Sequence, residues 1–208
     1  MPDETTPSVF VVEDDDAVRS ALEVFLRLEG LRTRSFPSAE AFLDACRPGW
    51  TGCLVVDLRM PGLSGLELLG QLRERAIDLP AIVITAHGDV ANTRSSFRAG
   101  AVDFFEKPVD NEALLVAIRQ ALDRDAARRR EARERSEIVE RLARLTARER
   151  EVLDLVAAGR HNREIAAALA ISPRTVEVYK ARMMEKLQVR RLPDLVRLVL
   201  RARDLSAG

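Results

Sequence analysis

Side chains suited to phosphoryl chemistry end or follow four apolar runs in the N-terminal half of the chain. Glu13 and Asp14 follow the first run, Asp57 ends a second, and Thr85 and Lys107 lie at the ends of two more. A carboxylate can attack a phosphoryl group as a nucleophile, while nearby cations offset the charge of the transition state. We therefore predict that Asp57 accepts a phosphoryl group and that the hydroxyl of Thr85 donates to one of its oxygens.

Asp57 also has a plainer interpretation as a turn residue. It stands between the apolar run 54–56 and a Pro61-Gly62 break, and Asp is common where a chain turns. Those residues alone leave both interpretations open. The other polar groups at neighbouring strand ends favour the chemical one.

Three ionised carboxylates held close together repel one another, and a divalent cation would compensate for this repulsion. Mg²⁺ prefers oxygen ligands and usually keeps several waters. We therefore expect Mg²⁺ as the cofactor, held by Glu13, Asp14, Asp57 and the backbone carbonyl of Arg59.

A parallel sheet would bring these side chains together. Strands with two apolar faces alternate with amphipathic helices, which is typical of a sheet covered on both sides. Reactive groups in such sheets collect beyond the carboxyl ends of the strands, where the strand order reverses. The predicted strands are 9–12, 31–36, 54–57, 81–85 and 102–105, and the predicted helices include 89–98 and 111–122.

Composition divides the 208 residues into two parts of opposite charge. Residues 1–122 carry 12 Lys and Arg against 19 Asp and Glu, a net charge of −7, whereas residues 123–208 carry 21 against 14, a net charge of +7. This division indicates metal or phosphate chemistry first and a polyanionic partner second. With no long apolar run and an acidic start, we expect a cytoplasmic protein without membrane insertion. Cys46 and Cys53 are expected to be free thiols.

The basic part begins with a predicted helical linker at 123–145 and continues as a small all-α domain at 146–208. The linker lacks Pro and Gly, so the helix before it is expected to run on. A short coiled coil and a single solvated helix both remain open for it. Further on, Asn162 is expected to cap one helix, and Ser172 with Pro173 opens the next. This arrangement resembles a helix-turn-helix, whose second helix enters the major groove of DNA.

The predicted recognition helix carries groups that can contact bases. Arg can address guanine or phosphate, Glu can accept from cytosine N4, and small apolar side chains pack on the thymine methyl. Each residue alone could be ordinary surface, but the set favours DNA. The residues expected to face the bases are Arg174, Glu177, Val178, Ala181 and Arg182. The residues expected along the phosphate backbone are Asn162, Arg163, Thr175, Lys186 and Arg190.

The motifs of the first part resemble the receiver domain of bacterial two-component response regulators. These motifs are EDDD at 13–16, VVDLRMPG at 55–62, VITAHGD at 83–89 and FFEKP at 104–108. The resemblance implies a flavodoxin-like, doubly wound sheet in a domain spanning 1–122. It also implies Asp57 as phosphoacceptor, Thr85 and Lys107 as phosphoryl sensors, Phe104 as an aromatic switch, and a cis peptide bond before Pro108. Glu13 stands where many receivers carry Asp, so a shifted Mg²⁺ affinity is expected.

The second part resembles a LuxR-type DNA-binding domain through LTAREREVLDLVAAG, NREIA and ISPRTVEVYKARMMEKL. Together the two resemblances point to the FixJ branch of response regulators. They imply a sensor histidine kinase, double-stranded promoter DNA and RNA polymerase as partners, and a regulator rather than an enzyme. We expect phosphorylation to promote a homodimer, with Arg94 and Arg98 at its rim. His87 is interpreted as a hydrogen-bonded loop residue rather than a catalytic base.

Two other classes of protein use some of the same groups. A haloacid dehalogenase-type phosphatase also uses an Asp nucleophile, but it needs a second Asp two residues further on, where Arg59 stands. A phosphate-independent DNA-binding protein could use the receiver only for dimerisation. The presence of Asp57, Thr85 and Lys107 argues against that alternative.

Overall fold

The computed structural model describes residues 6–86 and 100–204. The chain divides into two compact units, Met1–Arg129 and Arg130–Gly208. The predicted helix at 89–98, the side chain of His87, and the expected dimer contacts Arg94 and Arg98 lie outside the described residues.

The first unit contains a five-stranded parallel sheet in the order β2-β1-β3-β4-β5. Its strands are β1 (Ser8–Val12), β2 (Thr33–Phe36), β3 (Gly52–Asp57), β4 (Ala81–Thr85) and β5 (Ala101–Glu106). This order is that of a flavodoxin-like, doubly wound sheet, and it reverses between β1 and β3. The predicted fold class is therefore confirmed. Strand β2 is two residues shorter than expected.

Helices cover both faces of the sheet because each strand alternates its apolar side chains between two layers. Val9 and Val11 pack on the face covered by α1 (Asp16–Leu28) and the start of α4 (Asn111–Ala143). Phe10 and Val12 pack on the opposite face, with α2 (Ala39–Ala45) and α3 (Gly65–Glu74). Burial on both faces explains why the sequence shows continuous apolar runs rather than alternation.

Local capping signals fix where several helices begin. Asp15 accepts backbone N–H groups at the start of α1, and Ser64 with Glu67 forms a capping box at the start of α3. Helix α4, which follows β5, runs without a break to Ala143, as predicted for the linker. No helix in the two described ranges has the length and apolar character needed to cross a bilayer.

The second unit is helical and has a core of its own. After the end of α4 come α5 (Ala147–Ala157), α6 (Asn162–Leu169), α7 (Pro173–Lys186) and α8 (Leu192–Asp204). The side chains of Val176 and Met183 in α7, and of Leu187 just after it, are fully buried in this core.

The turn between α6 and α7 follows from one residue. Ala170 has a left-handed backbone that ends α6, and Ser172 then caps α7. Helix α6 begins one residue earlier than predicted: His161 is the capping residue, and its backbone N–H donates to Glu164, whereas Asn162 is already helical.

Candidate functional site

The ends of β1 and β3 place two carboxylates side by side. Val12 pairs with Val56 in the sheet, so the next residues, Glu13 and Asp57, reach the same edge. Both side chains are almost completely buried, with 2% and 7% of their surfaces exposed. This edge is where the strand order reverses, as the sequence predicted.

Lys107 joins these two carboxylates. Its Nζ lies 2.5 Å from Oδ2 of Asp57 and 2.8 Å from Oε2 of Glu13. The backbone places the lysine there, because the N–H of Lys107 donates to the carbonyl oxygen of Thr85 at 2.7 Å just beyond the β4–β5 pairing. Charge-assisted hydrogen bonds of this length are among the stronger ones in proteins.

The electrostatics of the cluster follow from its burial. Burial raises the pKa of Glu13, opposed by its hydrogen bond with Lys107 and reinforced by the negative charge of Asp57. Burial acts to lower the pKa of Lys107, but its hydrogen bonds and charge interactions with both carboxylates raise it above the ordinary value. The ammonium group is therefore held in its charged form.

Asp14 completes a group of three carboxylates that could hold a metal ion. One oxygen from each of Glu13, Asp14 and Asp57 lies within 4.8 Å of the others, and Asp14 faces solvent. All of the donors are oxygens, one is accessible, and two are buried, which suits a hard cation that keeps some water. The residues therefore fit Mg²⁺.

Arg59 contributes through its backbone. Its N–H donates to Oδ1 of Asp57 at 3.0 Å, so the loop after β3 holds the oxygen that Lys107 does not contact. Both oxygens of Asp57 thus have a donor.

The remaining predicted residues lie around this site. Thr85 ends β4 and is fully buried. Phe104 is half-buried against the layer that contains α2 and α3. The peptide bond between Lys107 and Pro108 is cis, as predicted.

Arg19 supports the acidic pair, a role that the sequence analysis missed. Its guanidinium donates to the backbone carbonyls of Glu13 at 2.8 Å and Asp14 at 3.4 Å, and it pairs with the side chain of Asp16. The available signal was an arginine one helical turn beyond a block of carboxylates.

An apolar groove of about 340 Å³ borders the site. Helix α1 forms one wall with Val18, Ala21, Leu22 and Phe25, and Lys107 and Pro108 lie in the opposite wall. A partner seated in this groove would be next to the acidic cluster.

In the second unit, the outer side of α7 presents the predicted DNA-facing residues. Val178 lies on this side and is 45% exposed. The other residues exposed on this side are Arg174, Glu177, Ala181 and Arg182. Arg163 and Arg190 are also exposed, and within the described ranges neither they nor Arg174 and Arg182 form an ion pair.

Three of the predicted backbone-contacting residues already have partners in the protein. The Nζ of Lys186 lies 2.7 Å from Oε2 of the buried Glu149. The side-chain oxygen of Asn162 accepts from Lys180 at 3.1 Å, a link between α6 and α7 that the sequence did not reveal. Thr175 takes part in the cap of α7, with its hydroxyl 2.8 Å from that of Ser172.

The two sites and the two folds define a class of protein. Residues 9–119 match the family described as the response regulator receiver domain, and residues 143–199 match the bacterial regulatory proteins of the luxR family. The chain therefore belongs to the two-component response regulators that join a receiver to a LuxR-type DNA-binding domain.

Individual proteins of known sequence or structure are similar to this chain over nearly its whole length. The transcriptional regulatory protein FixJ of Azorhizobium caulinodans is 48% identical over 93% of this chain and 92% of its own length. The solved response regulator StyR has a TM-score of 0.86 at 44% identity, covering 93% of this chain and 98% of StyR. Full-length FixJ from B. japonicum has a TM-score of 0.60 at 39% identity, covering 95% and 98%. The predicted family and the general function, phosphorylation-dependent regulation of transcription, are thereby confirmed.

Proposed function

We propose that Asp57 accepts a phosphoryl group from a sensor histidine kinase and that the resulting aspartyl phosphate strengthens promoter binding by the LuxR-type domain. The observation that carries this proposal is the contact of Lys107 with both Asp57 and Glu13. It supplies a nucleophile, a fixed cation and an acidic metal pocket at one sheet edge.

The transfer step uses the groups at this edge together with a phosphohistidine of the kinase and a bound Mg²⁺. An oxygen of Asp57 forms a bond to phosphorus as the nitrogen–phosphorus bond of a phosphohistidine breaks. Lys107 then moves its hydrogen bonds toward the phosphoryl oxygens, and Thr85 donates its hydroxyl to another. Mg²⁺, held by Glu13, Asp14, Asp57 and the carbonyl of Arg59, would neutralise charge on the transferred group.

The kinase is proposed to dock in the apolar groove beside α1. Lys107 is one of the residues that line the groove and it contacts Asp57, so a helix of the kinase lying along Val18, Leu22 and Phe25 would bring its phosphohistidine near Asp57. The chain is proposed to act as a cytoplasmic regulator rather than an enzyme.

The response is proposed to pass through Thr85 and Phe104 to a homodimer. Displacement of these two residues would reshape the surface beside β5 and favour a pairing of receivers, with Arg94 and Arg98 proposed at its rim. A two-fold dimer would present two recognition helices to half-sites about one DNA turn apart. RNA polymerase is the further partner proposed for the DNA-bound dimer.

The DNA-contacting set is proposed as expected from the sequence, with Arg174, Glu177, Val178, Ala181 and Arg182 at the bases. Asn162, Arg163, Thr175, Lys186 and Arg190 are proposed along the phosphates. To contact phosphate, the side chains of Asn162, Thr175 and Lys186 would have to share or give up their present contacts within the chain.

Gel-shift measurements with and without a small phosphoryl donor test the proposal on wild type, Asp57→Ala and Asp44→Ala. Asp44 is an exposed carboxylate on α2 and serves as the matched control. We expect the donor to tighten DNA binding by wild type and Asp44→Ala but not by Asp57→Ala. Equal tightening of all three would overturn the role of Asp57, and no tightening of any would favour the phosphate-independent alternative.

A further inference from the structure

A second buried carboxylate, Asp125, lies in helix α4 away from the phosphoacceptor site. Only 3% of its surface is exposed. A buried charge persists where hydrogen bonds and opposite charges compensate for the lost water. Its contacts therefore indicate what the carboxylate does.

Both oxygens of Asp125 are occupied by charged or backbone donors. Oδ1 accepts from Nη2 of Arg128 at 2.6 Å, and Oδ2 accepts from Nε of Arg129 at 2.8 Å. Oδ2 also accepts the backbone N–H of Gly52 at 3.0 Å, so the carboxylate joins α4 to the first residue of β3.

The two arginines extend this connection to neighbouring loops. Arg129 donates to the carbonyl oxygen of Trp50, just before β3. Arg128 donates to the carbonyl oxygen of Asp78 and pairs with its side chain, just before β4. The cluster of Asp125, Arg128 and Arg129, named here the exit clamp, therefore holds α4 to the amino ends of two central strands.

Gly52, which the clamp holds, is a position that only glycine fits. It has a φ of +133°, and any Cβ there would lie closer than 3.0 Å to backbone atoms of Ser8. The strand that begins at Gly52 ends at Asp57. One six-residue strand thus has the proposed phosphoacceptor at one end and the clamp at the other.

Beyond the clamp, the side chains of α4 are not packed against other elements over about two turns. Residues 130–137 are all exposed, and burial resumes only at Ile138. An exposed ion pair there, between Glu134 and Arg201 at 3.3 Å, adds little stability. A helical stretch this short that is not packed against the protein is marginal in water, so its stability depends on what holds its ends. Asp125, Arg128 and Arg129 form the last buried contact of α4 within the first unit.

We propose that the exit clamp anchors the linker helix to the receiver and that this anchor is required for phosphorylation at Asp57 to alter DNA binding. This inference rests on the function proposed above. Without the clamp, the receiver would still be phosphorylated, but its change of state would no longer reach the linker.

The substitution Asp125→Asn tests the anchor, because it keeps the shape of the side chain and removes its charge. Asp123→Asn is the matched control, since Asp123 is exposed on the same helix. Three quantities are measured with and without acetyl phosphate: phosphorylation of Asp57 by mass spectrometry, DNA affinity by gel shift, and hydrogen exchange of residues 123–143.

We expect all three proteins to be phosphorylated equally. In wild type and Asp123→Asn the donor should raise DNA affinity by about 5- to 150-fold, the usual range of coupling between sites. In Asp125→Asn the gain should fall close to one, and residues 123–143 should exchange faster than in the control. A wild-type gain in affinity and wild-type exchange in Asp125→Asn would overturn the anchor.

Two further outcomes are distinguishable. If Asp125→Asn does not fold and so is not phosphorylated, Arg129→Gln is measured in its place. This variant leaves Asp125 and Gly52 in contact and removes the guanidinium that reaches Trp50. If the donor still raises its DNA affinity as much as that of wild type, the proposal is overturned. If wild type itself gains no affinity, the proposed function fails. The exchange comparison between Asp125→Asn and Asp123→Asn then decides the anchor alone.

Discussion

The ammonium of Lys107 lies 2.5 Å from the carboxylate of Asp57, although 50 residues separate them in the chain. The same ammonium lies 2.8 Å from Glu13. The lysine therefore contacts two of the three carboxylates that would hold a divalent cation. This competition leads to the first prediction.

Lys107→Met should make the receiver more dependent on Mg²⁺. Removing the lysine ammonium leaves Glu13 and Asp57 buried without a countercharge, which should cost about 3–5 kcal/mol of folding stability in metal-free buffer. Mg²⁺ should then raise the melting temperature more in Lys107→Met than in wild type, because no ammonium competes for the carboxylates. Thermal unfolding with and without Mg²⁺ measures both effects. Arg32→Met, which removes an exposed charge from the same unit, should behave as wild type; an equal Mg²⁺ shift in all three proteins would contradict the prediction.

Gly65→Ala should damage the loop that carries Asp57. A Cβ at Gly65 would lie closer than 3.0 Å to the carbonyl oxygen of Asp57, whereas a Cβ at Gly70, in the same helix, meets nothing within 4 Å. We expect Gly65→Ala to cost about 1–3 kcal/mol and to slow phosphorylation. Gly70→Ala should instead stabilise the protein by about 0.5–1 kcal/mol, as expected for alanine in a helix. Denaturant unfolding compares them, and a stable Gly65→Ala would show that the loop can move aside.

Glu149 should make the stability of the DNA-binding unit depend on pH. Its hydrogen bond with Lys186 is the main cause that lowers its pKa, and the backbone and hydroxyl of Thr146 add to it. Because the folded pKa lies below the unfolded one, the stabilisation is complete above the ordinary carboxyl pKa and is lost as the pH falls through the lowered value.

Glu149→Gln should therefore lower stability by about 1–3 kcal/mol near neutral pH. The difference from wild type should shrink in acid, as Glu149 itself becomes protonated. Unfolding of the second unit, followed at neutral pH and near pH 3, measures this change. Glu151→Gln, on the exposed side of the same helix, is the control. A constant difference at both pH values would mean that packing, not charge, accounts for the loss.

Arg182→Ala should weaken DNA binding without affecting folding. The side chain is exposed on α7, and within the described ranges it forms no ion pair, so its removal leaves no buried group uncompensated. We expect a loss of about 1–3 kcal/mol in binding free energy if it contacts a base. If it contacts phosphate, the loss should be similar for all sequences and the salt slope should fall by about one. Arg124→Ala removes the same charge from an exposed position in the first unit, and equal weakening by both variants would contradict a direct contact.

The sequence by itself determined the order of elements and which groups stand at strand ends. Strands can be predicted from apolar runs. Helix starts can be predicted from local capping signals, because these depend on residues close together in the chain, as in the capping boxes at Ser64 and Thr146 and at Ser172-Pro173. Helix and strand ends were less exact, as at His161, because several neighbouring polar groups can serve as a cap.

Tertiary structure alone decided which partners these groups take. Lys107 joins Glu13 across 94 residues, Asp125 holds Gly52 across 73, and Lys186 pairs with Glu149 across 37. For Asp125 and Lys186, the adjacent residues do not distinguish a charge that faces water from one that pairs within the protein. The choice depends on which surfaces pack together and exclude solvent, since only there does an unpaired charge become costly enough to require a particular partner.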